Sequence, residues 1–243
     1  MKEEKIFLNP WTDRDVEAHW DSVASVYLTE NKKVEKAHTQ RFSKAVPFLD
    51  LQPGQKLLNI TSRDGGVEPY LRKARNDLYV LHAEISEGLM QVASMLHPGI
   101  RQIKIETYSL LPFREGSFDR ILSLETIEHV ENPVKFLMEL HRVSTPGARM
   151  VLSCPPATSE IPYRLYSFIF GGHGEGPHRF PSSRTVKKWL TQTGWRLLHH
   201  EGTLLIPLGP IWLQKLGEAI IRKSQGTFIS ELGIRQFYVC EKQ

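Results

Sequence analysis

The stretch Lys56-Leu57-Leu58-Asn59-Ile60-Thr61-Ser62-Arg63-Asp64-Gly65-Gly66 decides the fold. Its apolar run breaks off into small and polar residues, and a helical pattern follows from Gly66 to Arg75. That is the pattern of a buried strand ending at a turn before a helix. At the carboxyl edge of a parallel sheet, such a turn can hold an anionic group with its N–H groups and the positive end of the helix.

The same alternation continues in both directions. Leu78–Ala83, Ile100–Ile105, Phe118–Leu124 and Arg149–Cys154 read as strands, and Ser86–Leu96 and a segment opened by Asn132-Pro133 read as the helices between them. Ser182–Thr193 is a further helix, Trp195–His200 and Phe237–Glu241 are the last strands, and Leu204–Ile221 reads as a loop and helix on the rim. Strands and helices at this spacing predict an α/β, doubly wound, mostly parallel sheet of seven strands. Residues 1–50 carry two amphipathic helices, 13–30 and 34–49, which suit a cap over the sheet edge, with Trp20 and Tyr27 as core anchors. One domain over 1–243 is expected, divided into the cap (1–50), a ligand-binding half (51–154) and an acceptor-side half (155–243) with an aromatic- and glycine-rich insertion at 157–181.

Composition narrows the classes. With 40% hydrophobic residues the chain can bury a substantial core, so disorder is not expected. No apolar run reaches membrane-spanning length and the amino terminus carries no signal-like block, which makes a cytoplasmic protein the expectation. Cys154 and Cys240 are too few and too far apart for a disulfide framework or a metal site. The net charge of +4 is spread along the chain rather than clustered, so nucleic acid is not prompted, whereas an anionic small substrate or an acidic membrane surface suits it.

From Trp20 to Glu241 the chain resembles the class I S-adenosylmethionine-dependent methyltransferases, specifically the group that modifies small molecules, sugars and lipids. The most specific part is Leu111–Ser153, with its Leu111-Pro112-Phe113, Ser117-Phe118-Asp119, Glu128-His129-Val130 and Pro146-Gly147 landmarks. The resemblance implies a Rossmann-like sheet whose last strand runs antiparallel beside the fifth, which would place Cys154 and Cys240 near opposite ends, unbonded. It also implies S-adenosylmethionine as cofactor: Glu84 for the ribose hydroxyls, Ile85 and Met90 flanking the adenine, Thr107 and the Tyr108 N–H at the adenine edge, and the Asn59–Gly65 turn for the methionine part. This turn departs from the family's acidic-x-Gly-x-Gly-x-Gly pattern. Asn59 replaces the acid, Thr61 and Arg63 stand where glycines permit close approach, and Gly65 alone survives. Arg63 either swings outward, pairs with a carboxylate, or fills the pocket with Thr61.

Methyl transfer to a hydroxyl is helped by a general base. His129 follows the fourth strand and is a candidate for that role, or it shapes the loop; Glu125 is a candidate to line the cofactor pocket. His173 and His178 in the insertion are further candidates for the base, or surface residues, and Arg179 is a candidate anchor for an acceptor phosphate or carboxylate. Tyr163, Tyr166, Phe168 and Phe170, with Leu204–Ile221, suit an apolar acceptor channel, a membrane-facing rim, or plain packing of the insertion. The expected activity is methylation of a small-molecule acceptor, a sugar or lipid-linked intermediate among the options. The alternative is a methyltransferase-like scaffold or regulatory partner without cofactor binding.

Overall fold

The computed structural model describes residues 8–33, 35–160, 176–206 and 210–243. His173 and the aromatics Tyr163, Tyr166, Phe168 and Phe170 lie outside them. Seven strands form one sheet: β1 (Lys56–Ile60), β2 (Tyr79–Glu84), β3 (Gln102–Lys104), β4 (Phe118–Leu124), β5 (Ser144–Cys154), β6 (Trp195–Thr203) and β7 (Arg235–Lys242). Their order is β3-β2-β1-β4-β5-β7-β6. β7 runs antiparallel to both β5 and β6, and the remaining pairs are parallel. Cys240 pairs with Met150, and Cys154 with Gln236, so the two free thiols sit apart as the topology requires.

The α-helices among the described residues are α1 (Asp13–Lys33), α2 (Glu35–Phe48), α3 (Glu68–Ala74), α4 (Glu87–Leu96), α5 (Pro133–Val143), α6 (Ser183–Gln192) and α7 (Ile211–Lys223). Strand alternation divides the core in two. Leu58, Ile60, Ala83, Ile121 and Leu152 meet α1, α4, α5 and α6 on one face. Leu57, Val80, Leu122 and Val151 meet α2 and α3 on the other. The helices start where their caps dictate: Ser86, Asn132 and Ser182 each accept a hydrogen bond from the first turn that follows, and Pro133 opens α5.

Some boundaries move. β5 begins at Ser144, ahead of the expected Arg149, because Ser144 already pairs with Phe118 across a register shift that absorbs Pro146 and Gly147. β6 continues to Thr203, carried by its pairing with Arg235. β1 lies between β2 and β4, where successive connections leave in opposite directions. The crevice at the carboxyl ends of these strands is the switch point at which such sheets take ligands.

Candidate active site

The turn after β1 keeps the backbone of a glycine turn without its glycines. Thr61 (φ 59°), Arg63 (φ 53°) and Gly65 (φ 71°) all lie in the left-handed region. At Gly65 the absence of a side chain also spares a clash, since a Cβ there would stand 2.7 Å from the Ile100 side chain, which would have to shift. For Thr61 and Arg63 the conformation costs on the order of 1–3 kcal/mol each. The turn is held by Ser62 N–H to Ala83 O (3.2 Å), Gly65 N–H to Ser62 O (2.9 Å) and Arg63 N–H to Glu84 Oε2 (2.7 Å).

Glu84 ends β2 and is fully buried, not the solvated strand-end carboxylate that position permits. Its Oε1 accepts the N–H groups of Ile85 (2.9 Å) and Ser86 (3.1 Å). One carboxylate thus ties the β1 turn to the start of α4. Ile85 is itself fully buried core. Asn59 shares the face of Leu57 and turns away from α1. Its amide donates to His82 Nδ1 (3.0 Å), His82 Nε2 donates to Glu68 Oε2 (3.0 Å), and Glu68 binds Arg72 (2.6 Å). Asn59 therefore joins β1 to α3 rather than reaching the crevice.

Across the crevice lies α1, and its side chains take the groups that the strand ends present. Asp13 Oδ2 accepts Thr107 Oγ1–H (2.6 Å) and Tyr108 N–H (2.8 Å), while Oδ1 accepts Glu131 N–H (2.9 Å). Asp21 Oδ1 accepts Ser86 Oγ–H (2.6 Å) and Gly88 N–H (3.0 Å) at the start of α4. Between them, the Arg63 guanidinium lies over the Trp20 ring at 3.4 Å from its centroid. Arg63 is 8% exposed and its Nη1 has no hydrogen-bond partner. Of the options open in the sequence, this side chain neither swings outward nor pairs with a carboxylate: it fills the crevice. Thr61 does the same more modestly, its hydroxyl donating to Tyr108 Oη at 3.4 Å. The lead-in to α1 is clamped as well, by Trp11 Nε1–H to His129 O (2.6 Å) and Asn9 Nδ2–H to Val130 O (2.7 Å).

The end of β4 supplies the remaining groups. Glu125 (φ 53°) accepts Ser153 Oγ–H (2.6 Å) and Arg235 Nε–H (3.1 Å), so an ion pair to β7 fixes its carboxylate. His129 is buried, with Nδ1 donating to Pro177 O (2.8 Å) and its ring edge-on to Trp20 (5.7 Å). Donation from Nδ1 leaves Nε2 with its lone pair. Burial, then the nearby Arg63 charge, hold the His129 pKa well below the ordinary imidazole value, so the ring is uncharged near neutrality. His178 comes within 6.2 Å of His129, ring to ring, and its Nδ1 donates to Gly176 O (2.8 Å). The fold thus brings together Thr61, Arg63, Glu84, Thr107, Tyr108, Glu125, His129 and His178, and leaves Asn59 on the other face. A cavity of about 450 Å³ lined by Arg72, Asp77, His97 and Arg101 lies at the opposite, amino edge of β2 and β3.

Sequence reasoning missed Asp13, Asp21 and Arg235. The available signal for Asp13 is its position beside Thr12-x-x-Asp15. There Asp15 accepts both the Thr12 N–H (2.7 Å) and its hydroxyl (2.8 Å), which leaves the neighbouring acid free for a distant partner.

Residues 58–152 match the family model described as methyltransferase domain. The chain is 30% identical over 141 residues to a demethylmenaquinone methyltransferase of Renibacterium salmoninarum, a match spanning 57% of this chain and 58% of that protein. A demethylmenaquinone methyltransferase of Paenarthrobacter aurescens is 24% identical over 204 residues, 74% of this chain and 78% of the relative. Among solved structures, a possible histamine N-methyltransferase of Thermotoga maritima superposes with a TM-score of 0.66 at 18% identity, covering 94% of this chain and all of that one. That likeness carries the fold. Residues 58–152 are thus similar to the methyltransferase domain family, and the chain as a whole shares the fold of a solved S-adenosylmethionine-dependent methyltransferase.

Proposed function

We propose that the chain transfers a methyl group from S-adenosylmethionine to a small acceptor of the quinone class, and that α1 lifts from the sheet edge to admit the cofactor. One observation carries this reading: the left-handed backbone at Thr61 and Arg63 is kept although neither is glycine. A turn under that strain is explained by a ligand that approaches its backbone closely. The quinone class is suggested by the demethylmenaquinone named in the relatives, and it narrows the small-molecule acceptor expected from the sequence, for which a sugar or lipid-linked intermediate is one option.

Family and fold imply S-adenosylmethionine, and the groups present fit it. Glu84 keeps a lone pair on Oε2 for a ribose hydroxyl, since only Arg63 N–H is bonded to that oxygen. Thr107 and the Tyr108 N–H suit an adenine edge. Each is engaged by the chain's own Asp13, which makes α1 a competitor for the site. When bound, the cofactor supplies an electrophilic methyl carbon. His129, with Nε2 unprotonated, would accept the proton lost from an acceptor hydroxyl, and its burial keeps it neutral until then.

The test is incubation with S-adenosylmethionine and a panel of hydroquinones, read by mass spectrometry and by titration calorimetry. The expected result is S-adenosylhomocysteine together with an acceptor heavier by one CH2, with cofactor binding weakened in Glu84→Gln. A second reading, a regulatory homologue without cofactor, is favoured by the Arg63 stack on Trp20. It prevails if folded protein, free of carried-over ligand, binds neither the cofactor nor its product.

A further inference from the structure

α7 carries an outward face that nothing in the described structure covers. Trp212 (66% exposed), Leu216 (47%) and Ile220 (37%) recur every four residues and so form one stripe. Gly217 and Ile221 lie on the opposite, buried side, where a Cβ on Gly217 would meet Ile206 at 3.2 Å. The next 3-10 turn, Phe228–Glu231, and the residue after it add exposed Phe228, Ile229 and Leu232.

The charges around this stripe have one sign. Lys215, Arg222 and Lys223 are exposed. The acids of residues 211–232 are Glu218 and Glu231, and both are tied down. Glu218 turns inward to Lys44 (3.3 Å) and the Leu204 N–H (2.7 Å), and Glu231 pairs with Lys187 (3.1 Å). A tryptophan-bearing apolar stripe flanked by cations, on a chain of net charge +4, complements an anionic bilayer surface. A second copy of the chain fits less well. A two-fold contact through this stripe sets the three cations against their own symmetry mates, with no free acid to answer them.

We infer that α7 and the following 3-10 turn form a peripheral docking surface for an anionic lipid membrane. Trp212, Leu216 and Phe228 enter the interface while Lys215, Arg222 and Lys223 meet the headgroups. Length does not permit more: among the described residues no helix is long and apolar enough to cross a membrane.

The experiment is co-sedimentation of the full chain with vesicles of phosphatidylcholine alone and of phosphatidylcholine with phosphatidylglycerol. The expected result is partition onto the anionic vesicles only, reduced by high salt. Partition should fall by at least about tenfold in Trp212→Ala/Leu216→Ala and in Lys215→Glu/Arg222→Glu/Lys223→Glu. Thermal melts of both variants, whose changes are all at exposed positions, control for folding. Absence of binding to anionic vesicles, or binding unchanged in both variants, overturns the proposal. So does a concentration-dependent dimer that the Trp212→Ala/Leu216→Ala change abolishes, since the face then belongs to a second copy. None of these readouts depends on methyl transfer, so the surface and the active-site reading fail separately.

Discussion

Replacing Arg63 by glycine tests the crevice most directly. The guanidinium lies 3.4 Å from the Trp20 ring centroid in a buried site, where a cation–π contact is worth about 2 kcal/mol. Removing it loses that contact and adds about 0.5–1 kcal/mol of backbone entropy for the new glycine. Against this stand relief of the left-handed strain at φ 53°, about 1–3 kcal/mol, and removal of a buried Nη1 without a partner, another 1–3 kcal/mol. The gains, about 2–6 kcal/mol, match or exceed the losses, about 2.5–3 kcal/mol, so Arg63→Gly should melt no more than about 4 °C below the parent, given that 1 kcal/mol shifts a chain of this size by roughly 2–4 °C. The cofactor, by contrast, no longer has to break the stack. A difference of about 2 kcal/mol corresponds to roughly thirtyfold tighter binding of S-adenosylhomocysteine. Titration calorimetry on parent and variant, with melts alongside, reads both quantities. Unchanged or weaker binding in a variant that melts normally would refute the idea that Arg63 occupies the cofactor's place.

Other expectations concern the groups around it. Asp13→Ala strips the acceptor from two backbone N–H groups and the Thr107 hydroxyl, so denaturant titration should show a loss of about 2–4 kcal/mol, and an unchanged midpoint would contradict the clamp. Glu84→Gln sets an amide against N–H donors from the β1 turn and the α4 start. Amide exchange at Arg63, Ile85 and Ser86 should therefore quicken selectively, and protection equal to the parent's would count against its tying role. The His200 pKa is brought down to about 4, chiefly by burial and then by Lys187, from an ordinary 6.5. Its folded value lies below the unfolded one, so the unfolded chain binds more protons between those limits and stability falls as pH drops from 6.5 to 4. His200→Phe, keeping the stack on Tyr238 at 4.7 Å, should flatten that limb of the stability curve; an identical slope would remove His200 as a contributor.

Much of the frame was legible because it rests on local rules. The apolar run at Leu57–Ile60, the Asn132-Pro133 start and the buried face of α5 each follow from a few neighbouring residues. Glu84 was found by its place at a strand end, though not its burial, which depends on N–H groups from two other segments. The helical spacing of Val16, Trp20 and Ala24 announces a buried stripe on α1 but says nothing of what it covers. Asp13 reaches partners 94, 95 and 118 residues away, and no pattern within a helix encodes such a pairing. Asn59 misled for a related reason. Its match to the family's acidic position implied a ligand contact, while the pleat directs its side chain to His82.

The long reach of α1 also bears on the order in which the molecule is made. Asn9 and Trp11 close onto residues 129–130, and Asp13 divides its carboxylate between residues 107–108 and Glu131, so the clamp is incomplete until that loop has left the ribosome. Contacts so distant in sequence form late, after the loop-closure entropy between them has been overcome. A chain still being synthesised past β3 therefore holds α1 only through Asp21 at the start of α4 and the Arg63 stack on Trp20. The contacts of Asn9 and Trp11 with residues 129–130 are among the last to close, and the rim of the crevice is finished only with them.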